Sequence, residues 1–346
     1  MLSIDCHSTM TPIKIGQIGI GHNHADEKMR TLRSLPHLFE VVGIVESDPV
    51  WLDQRAGKSQ YEGLRWMTEQ ELFETPGLEA VAVETDGPDL VPTALRCAER
   101  GLHMHLDKPG GESLPDFKAL LDTCERRSLA IQLGYMYRNN PAVNFCRQAV
   151  RDGWLGDIFE IHAVMSRLDG DDYREWIKNF QGGSMYIFGG YLIDIIISLL
   201  GRPDQVTSFQ RPTRDDGCHD NGFAVLAYPG ATASVRASIV EVEGFRRRQL
   251  VVCGTKGTVE ICPLEHHNSR YALDPLHVRL TLAEPCGDYA AGTHVVDVGV
   301  MEGRYTEQLT DLARVIRGEI NNPWPPSHEF LVHEALLAAS GYTTFT

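Results

Sequence analysis

A chain of 346 residues exceeds what one hydrophobic core usually fills, so two domains are expected, and its 42% hydrophobic and 23% charged residues exclude a collagen-like or disordered chain. The net charge of −15, with Arg246, Arg247 and Arg248 as the longest basic run, argues against nucleic acid or a membrane surface as partner and for a small ligand. Scattered cysteines (Cys6, Cys97, Cys124, Cys146, Cys218, Cys253, Cys262, Cys286) without a C-x-x-C pair fit reduced thiols in a cytoplasm. Residues 1–12 lack a secretion-signal pattern, and the longest apolar run, residues 186–200, is short for a bilayer and carries Asp194.

In chain order, residues 13–20 ("IKIGQIGI") form the first expected strand, followed by Ala25, Met29 and Leu32 at helical spacing. Further strands are expected at 39–46, 79–85, 102–107 and 129–135. Between the third and fourth of these, Leu90, Ala94 and Ala98 mark one face of a helix that Gly101 ends; Ser113 caps the next, with Phe117, Leu120 and Cys124 inside. Strands apolar on both faces and separated by helices predict a doubly wound parallel sheet. After residue 140 the pattern changes: a helix at 141–151, a strand at 157–165, an apolar helix at 184–200, then strand runs around 205–210, 222–242 and 247–262. "YPGA" and "GTKG" supply hairpin turns, and helices at 305–317 and 327–341 are separated by "NNPWPP". This half is expected to hold a largely antiparallel sheet.

The stretch "GQIGIGHNHA" follows a strand and opens a helix, and Gly19-x-Gly21-x-x-His24 matches the dinucleotide fingerprint except that His24 replaces its last small residue. Glu46 ends the second strand, where an acid accepts hydrogen bonds from the adenosine ribose; with Ser47 rather than Arg after it, NAD is expected over NADP. His22, Asn23 and His24 are expected on the cofactor phosphates. His22 and His24 could instead ligate a metal with His105, but nothing in the sequence shows the three to converge, so no metal is expected.

Asp107 and Lys108 close the fourth strand, before Pro109; taken alone, such a pair reads as a surface salt bridge. In order, "GIGHNHA", "ETD", "GLHMHLDKP", "GYMYRNNP", "GWLGDIFEI", "GGSMYIFGGYLIDIIISLLG" and "GTKGTVEI" resemble the Gfo/Idh/MocA oxidoreductases, the glucose-fructose oxidoreductase and inositol dehydrogenase family, over residues 12–346. The resemblance implies an α/β fold with an N-terminal Rossmann domain (1–140) and a C-terminal α+β domain with a largely antiparallel open sheet (141–346), which binds substrate and builds a homodimer or homotetramer. It makes Lys108, flanked by Asp107 and Pro109, the counterpart of the family's catalytic lysine beside the nicotinamide. The family's Asp and His on the apolar helix are Ile187 and Tyr191 here, so that proton relay is absent and Tyr191 is implied as its replacement, with Tyr137 a weaker candidate. Thr85 matches a position at the nicotinamide ribose, and Arg138, expected at the cofactor or as an interdomain hydrogen-bond donor, one where the chain leaves the first domain. His162, Arg167, Asp169, Arg174, Trp176 and Asp194 fall where substrate is expected.

The expected activity is hydride transfer between NAD and a secondary hydroxyl or ketone of a sugar, cyclitol or sugar derivative, with Lys108 and Tyr191 handling the hydroxyl proton. Two other readings share these residues: an NAD-retaining glycoside hydrolase or lyase acting through transient C3 oxidation, and a non-catalytic dinucleotide or sugar sensor.

Overall fold

The computed structural model describes residues 11–266, 274–301 and 303–346; Cys6 and the first ten residues of the segment read for a secretion signal lie outside the described residues. The chain divides into two units, the first comprising the chain up to Gly111, Pro115–Gly134 and Tyr305–Pro326, the second Glu112–Leu114, Tyr135–Arg304 and Ser327–Thr346.

In the first unit, strands β1 (Ile13–Ile18), β2 (Phe39–Val45), β3 (Trp66–Met67), β4 (Ala80–Val83), β5 (His103–Leu106) and β6 (Ile131–Leu133) form a parallel sheet in the order β3-β2-β1-β4-β5-β6. Helices α1 (Ala25–Ser34), α2 (Pro49–Arg55), α3 (Glu69–Phe73), α4 (Leu90–Glu99) and α5 (Leu114–Arg126) intervene, as parallel neighbours require crossovers. All of β4 is buried, which explains its unbroken apolar run. The register pairs Ile18 with Val83 and Val83 with Leu106. Gly19, Glu84 and Asp107, each one residue beyond, therefore leave the sheet side by side at its C-terminal edge, where open α/β sheets bind ligands.

The second unit contains α6 (Pro141–Arg151), β7 (Ile158–Ser166), α7 (Asp171–Ile177), α8 (Gly183–Leu200), β8 (Gln205–Arg211), β9 (Asn221–Ala227), β10 (Thr232–Ser238), β11 (Gln249–Gly254), β12 (Gly257–Ile261), β13 (His277–Leu282) and β14 (Gly292–Asp297). Its sheet runs β14-β13-β12-β11-β7-β10-β9-β8 and is antiparallel except where β7 pairs with β10. The expected turns are present: the Tyr228 amide bonds the Ala231 carbonyl at 2.9 Å, and Thr255 and Lys256 link β11 to β12. Helix α8 reaches a length and hydropathy compatible with crossing a membrane, yet 83% of it is buried in the protein and it packs on β7, β9 and β10 as a core helix.

The division differs from the sequence reading of one boundary at 140/141. The break follows Gly134, and α9 (Thr306–Ile316) returns to the first unit, while α10 (Pro326–Ala339) lies almost wholly in the second. The reason is burial: Tyr305, Leu309, Leu312 and Ala313 complete an apolar cluster with Ile13, Ile15, Leu32 and Phe39.

Candidate active site

Gly19 leaves β1 at φ +91°, and a Cβ there would stand 2.4 Å from the Thr85 amide nitrogen. Only glycine adopts that backbone without strain. At Gly21 a Cβ would meet Trp51 Nε1 at 2.8 Å and Asp86 N at 3.1 Å, so the turn keeps open a space that a side chain would fill. The Ile20 amide donates to Glu46 Oε2 at 2.8 Å, and the Ser47 and Asp48 amides to Oε1 at 2.9 Å. The carboxylate is pinned at the end of β2 with, of about four acceptor positions, roughly one left for a ribose hydroxyl. A cleft of about 470 Å³ adjoins, lined by Gly19, Glu46, Asp48, Trp51, Thr85 and Arg96 among others. Thr85 Oγ1 is buried and receives no hydrogen bond. The glycine cradle, the pinned acid and the orphaned hydroxyl fit a nicotinamide dinucleotide.

Arg96 at this cleft escaped the sequence reading, because it comes from α4 rather than from the segment after Glu46. Its Nε and Nη2 both donate to Glu69 at 2.8 Å. Ala at position 19 is expected to cost about 1–3 kcal/mol of stability through the strained backbone, and to weaken dinucleotide binding about tenfold or more. Thermal unfolding and a titration with NADH check this; an unchanged melting temperature and affinity would refute the strained turn.

At the ends of β4 and β5 lies a buried titratable cluster. Lys108 is 5% exposed, so the surface salt bridge of the bare sequence reading is excluded. Its amide donates to Asp107 Oδ1 at 2.7 Å, and its peptide bond to Pro109 is cis. Asp107 Oδ1 and Oδ2 each lie 3.2 Å from His24 Nδ1, and Oδ2 lies 3.3 Å from His22 Nδ1. Burial opposes ionisation of Asp107, but its contacts with His22 and His24 outweigh it and hold the carboxyl well below its ordinary range. For His24 burial wins over Asp107, and its pKa falls to about 3, so the ring is neutral. Glu84 is fully buried, and burial followed by the Asp107 charge pushes its carboxyl well up. Lys28, also buried, lies over the Tyr305 ring at 3.5 Å and contacts His105 Nε2; burial lowers its pKa against the pull of Glu84 and Asp107. His105 thus faces Lys28 and Gln132, not His22 and His24. Asn23 sits in the turn, its Oδ1 accepting from Arg55 at 3.2 Å.

In the second unit, Tyr191 on α8 is 2% exposed, with ring centroids 6.0 Å from Tyr135 and 5.7 Å from Tyr137. Several sequence assignments change here. Arg138, expected at the cofactor, is buried in the second unit between two acids, Asp194 and Glu329, each at 2.7 Å. Asp194, expected at substrate, also accepts from His328 Nε2 at 2.9 Å. Burial opposes its ionisation, but the Arg138 guanidinium and the His328 hydrogen bond hold it well below the usual carboxylate range. The Tyr137 hydroxyl donates to Glu265 at 2.8 Å, and burial followed by the Glu265 charge pushes its pKa up, so it is committed to structure. Arg174 is an ion-pair hub for Asp216 and Asp220.

His162 bonds Ser234 Oγ at 2.7 Å. Strand alternation places it opposite Ile161, Ala163 and their partners on β9 and β10, and a Cβ at Gly222 in that set would lie 2.8 Å from Met185 of α8. The face of His162 is therefore the one away from Tyr191's helix. Arg167, Asp169 and Trp176 do gather: Arg167 pairs with Asp169 at 2.5 Å and lies 5.0 Å over the Tyr173 ring, which Trp176 contacts at 5.2 Å. Asp169 Oδ2 is buried and receives no hydrogen bond, and burial raises its pKa despite Arg167.

Residues 143–260 match the GFO/IDH/MocA C-terminal domain. The chain is 33% identical over 144 residues to D-xylose 1-dehydrogenase (NADP(+)) 2 of Haloferax volcanii, covering 41% of this chain and 44% of that protein. It is 25% identical over 206 residues to trans-1,2-dihydrobenzene-1,2-diol dehydrogenase of Sus scrofa, covering 57% and 60%. The chain thus spans about half the length of the curated relatives it matches. Among solved structures, aldose-aldose oxidoreductase from Caulobacter crescentus, complexed with glycerol, superposes with a TM-score of 0.76 at 21% identity over 95% of this chain and 98% of that one. An oxidoreductase from Agrobacterium radiobacter, in complex with NAD+, L-tartaric acid and magnesium, does so at 0.77 with 18% identity and 95% of each chain. These two likenesses establish the fold.

Proposed function

We propose that the chain, whose residues 143–260 match the GFO/IDH/MocA C-terminal domain, is an NAD-dependent oxidoreductase acting on a secondary hydroxyl or ketone of a sugar, cyclitol or sugar derivative. The observation that carries the reading is Lys108: an ammonium-bearing side chain, 5% exposed, at the C-terminal end of a parallel strand and beside a glycine turn built for a dinucleotide. When bound, the dinucleotide exchanges a hydride with the substrate carbon at its nicotinamide ring. Gly19 and Gly21 admit the pyrophosphate, Glu46 takes the ribose, and Thr85 and Asp107–Pro109 border the nicotinamide end. Lys108 donates to the substrate hydroxyl and stabilises the negative charge that develops as its proton leaves. Asp107 holds the Lys108 backbone through its amide. Tyr191 is assigned the proton-transfer role on the family resemblance, and Arg167, Asp169 and Trp176 are assigned to substrate hydroxyls.

NAD rather than NADP is supported by charge. A 2′-phosphate at Glu46 would meet the acids Asp48, Glu69, Asp86 and Asp89 around the cleft, and Arg96, the cation lining it, is already bound by Glu69. The free thiols of Cys97, Cys124, Cys146, Cys218, Cys253, Cys262 and Cys286 support a reducing compartment such as the cytoplasm.

The test is the full chain with NAD or NADP and a panel of monosaccharides, polyols and glycosides, followed at the NADH absorbance band. NAD reduction by one class of polyol or sugar, at least about tenfold faster than with NADP, is the expected result. Faster turnover with NADP would overturn the cofactor assignment, glycoside cleavage without net NADH would select the NAD-retaining scheme, and no turnover by the whole panel would favour the sensor.

A further inference from the structure

We propose that His22, His24, Asp107 and Glu84 form a binding site for one divalent first-row transition-metal ion, with zinc the best match. The ion would tie the glycine turn to the ends of β4 and β5. This goes beyond the oxidoreductase reading and reverses the expectation of no metal, which weighed only His22, His24 and His105 as ligands.

The geometry comes first. The donor atoms of His22, His24 and Asp107 all lie within 4.8 Å of one another. His24 Nδ1 is 3.2 Å from Asp107, His22 Nδ1 is 3.3 Å from Asp107 Oδ2, and His22 Nδ1 is 3.8 Å from Glu84 Oε2. A tetrahedral ion with bonds of about 2.0–2.2 Å separates neighbouring ligand atoms by roughly 3.3–3.6 Å. The two spacings to Asp107 approximate those edges, and Glu84, at 3.8 Å from His22 Nδ1, stands wider and must move inward to complete the shell. The supports are rigid: the His22 amide donates to the Glu84 carbonyl at 3.0 Å and the Lys108 amide to Asp107 at 2.7 Å, while the His24 amide, 3.3 Å from His22 Nδ1, gives up that contact when the nitrogen binds the ion. Such outer contacts orient ligands and raise affinity. The two imidazoles, with side chains 12% and 14% exposed, leave a path for entry.

Charge provides the second, independent observation. Glu84 is fully buried, and neither of its oxygens receives a hydrogen bond. Two buried carboxyls at one strand edge are costly unless a cation or a proton compensates them. Lys28 does so incompletely: its ammonium is 4.0 Å from Glu84 Oε1, beyond hydrogen-bonding reach, and is engaged with Tyr305 and His105. The donor set of two imidazoles and two carboxylates suits zinc, cobalt or manganese better than calcium or magnesium, which prefer oxygen ligands throughout.

The experiment treats the full chain with a chelator, desalts it, and titrates it with Co2+ and with Zn2+. Co2+ is read by the visible absorption of its four-coordinate form, and Zn2+ by elemental analysis after gel filtration. One equivalent of each is expected, with affinity falling about 100-fold or more in His24→Ala, clearly weakened in Glu84→Gln, and unchanged in the exposed-histidine control His37→Ala. Glu84→Gln preserves shape and removes a carboxylate ligand, so it keeps the test decisive if circular dichroism shows His24→Ala unfolded. Sub-stoichiometric retention without the cobalt band, or binding indifferent to both ligand variants, would overturn the site. None of these readouts needs turnover, so a protein that binds the ion but reduces no dinucleotide would sink the proposed function and leave the metal site standing.

Discussion

Substituting Met for Lys108 is expected to lower kcat by about 10²–10⁴-fold, the usual worth of a positioned proton-handling group, while NADH affinity changes by less than about threefold. Met keeps the length and apolar stem of a side chain that is 5% exposed, so packing is conserved and the ammonium alone is lost. The groups assigned to the pyrophosphate and ribose, Gly19, Gly21 and Glu46, are untouched. Steady-state kinetics on the best substrate of the panel, together with an NADH fluorescence titration, separate the two effects. Wild-type kcat in the variant would remove Lys108 from the chemistry; a parallel collapse of NADH binding would make it a structural residue.

The second large effect is expected at Arg138, which sequence reading put beside the cofactor. Replacing it with Met leaves Asp194 and Glu329, each at most 1% exposed, without their shared guanidinium, and breaking a buried pair in this way costs about 3–5 kcal/mol. Urea denaturation should show a lower midpoint, and the triple variant Arg138→Met, Asp194→Asn, Glu329→Gln should recover much of it, since no uncompensated charge then remains. The pH dependence has a definite sign. Asp194 is held below its unfolded value of about 3.9, so its contribution is fully present above about pH 4 and is lost as pH falls toward the lower folded value. In the Met variant this carboxyl prefers its proton, so the deficit relative to wild type should shrink on acidification. A pH-independent deficit would mean that Arg138 acts through packing alone.

Local chemistry made part of the site legible in the amino-acid sequence. The positive φ at Gly19, the apolar strand preceding it and the acid ending the next strand are short-range requirements, and they appear as Gly19, Gly21 and Glu46 at readable spacings. The apolar runs of β1, β4 and β5 likewise announce a sheet covered on both faces. Lys108 stands out only through the ordered motifs around it, because a Lys–Asp pair has no intrinsic burial signal.

What the chain order concealed is which elements meet. Glu84 and Asp107 join His22 and His24 because β4 stands between β1 and β5 in the sheet, and no periodicity of 2 or 3.6 residues encodes that neighbourhood. Arg138 reaches Glu329 across 191 positions, and the choice between an interdomain donor and a buried ion-pair hub was made by burial. His162 has the polarity of a ligand-facing residue, but the strand's pleat turns it from α8, and only the pairing of β7 with β10 and β11 decides which face that is. Sequence determined the elements, the glycine turn and the acid at β2. Tertiary structure decided the company of each charged group, because the cost of a buried charge depends on neighbours that arrive from distant strands and helices.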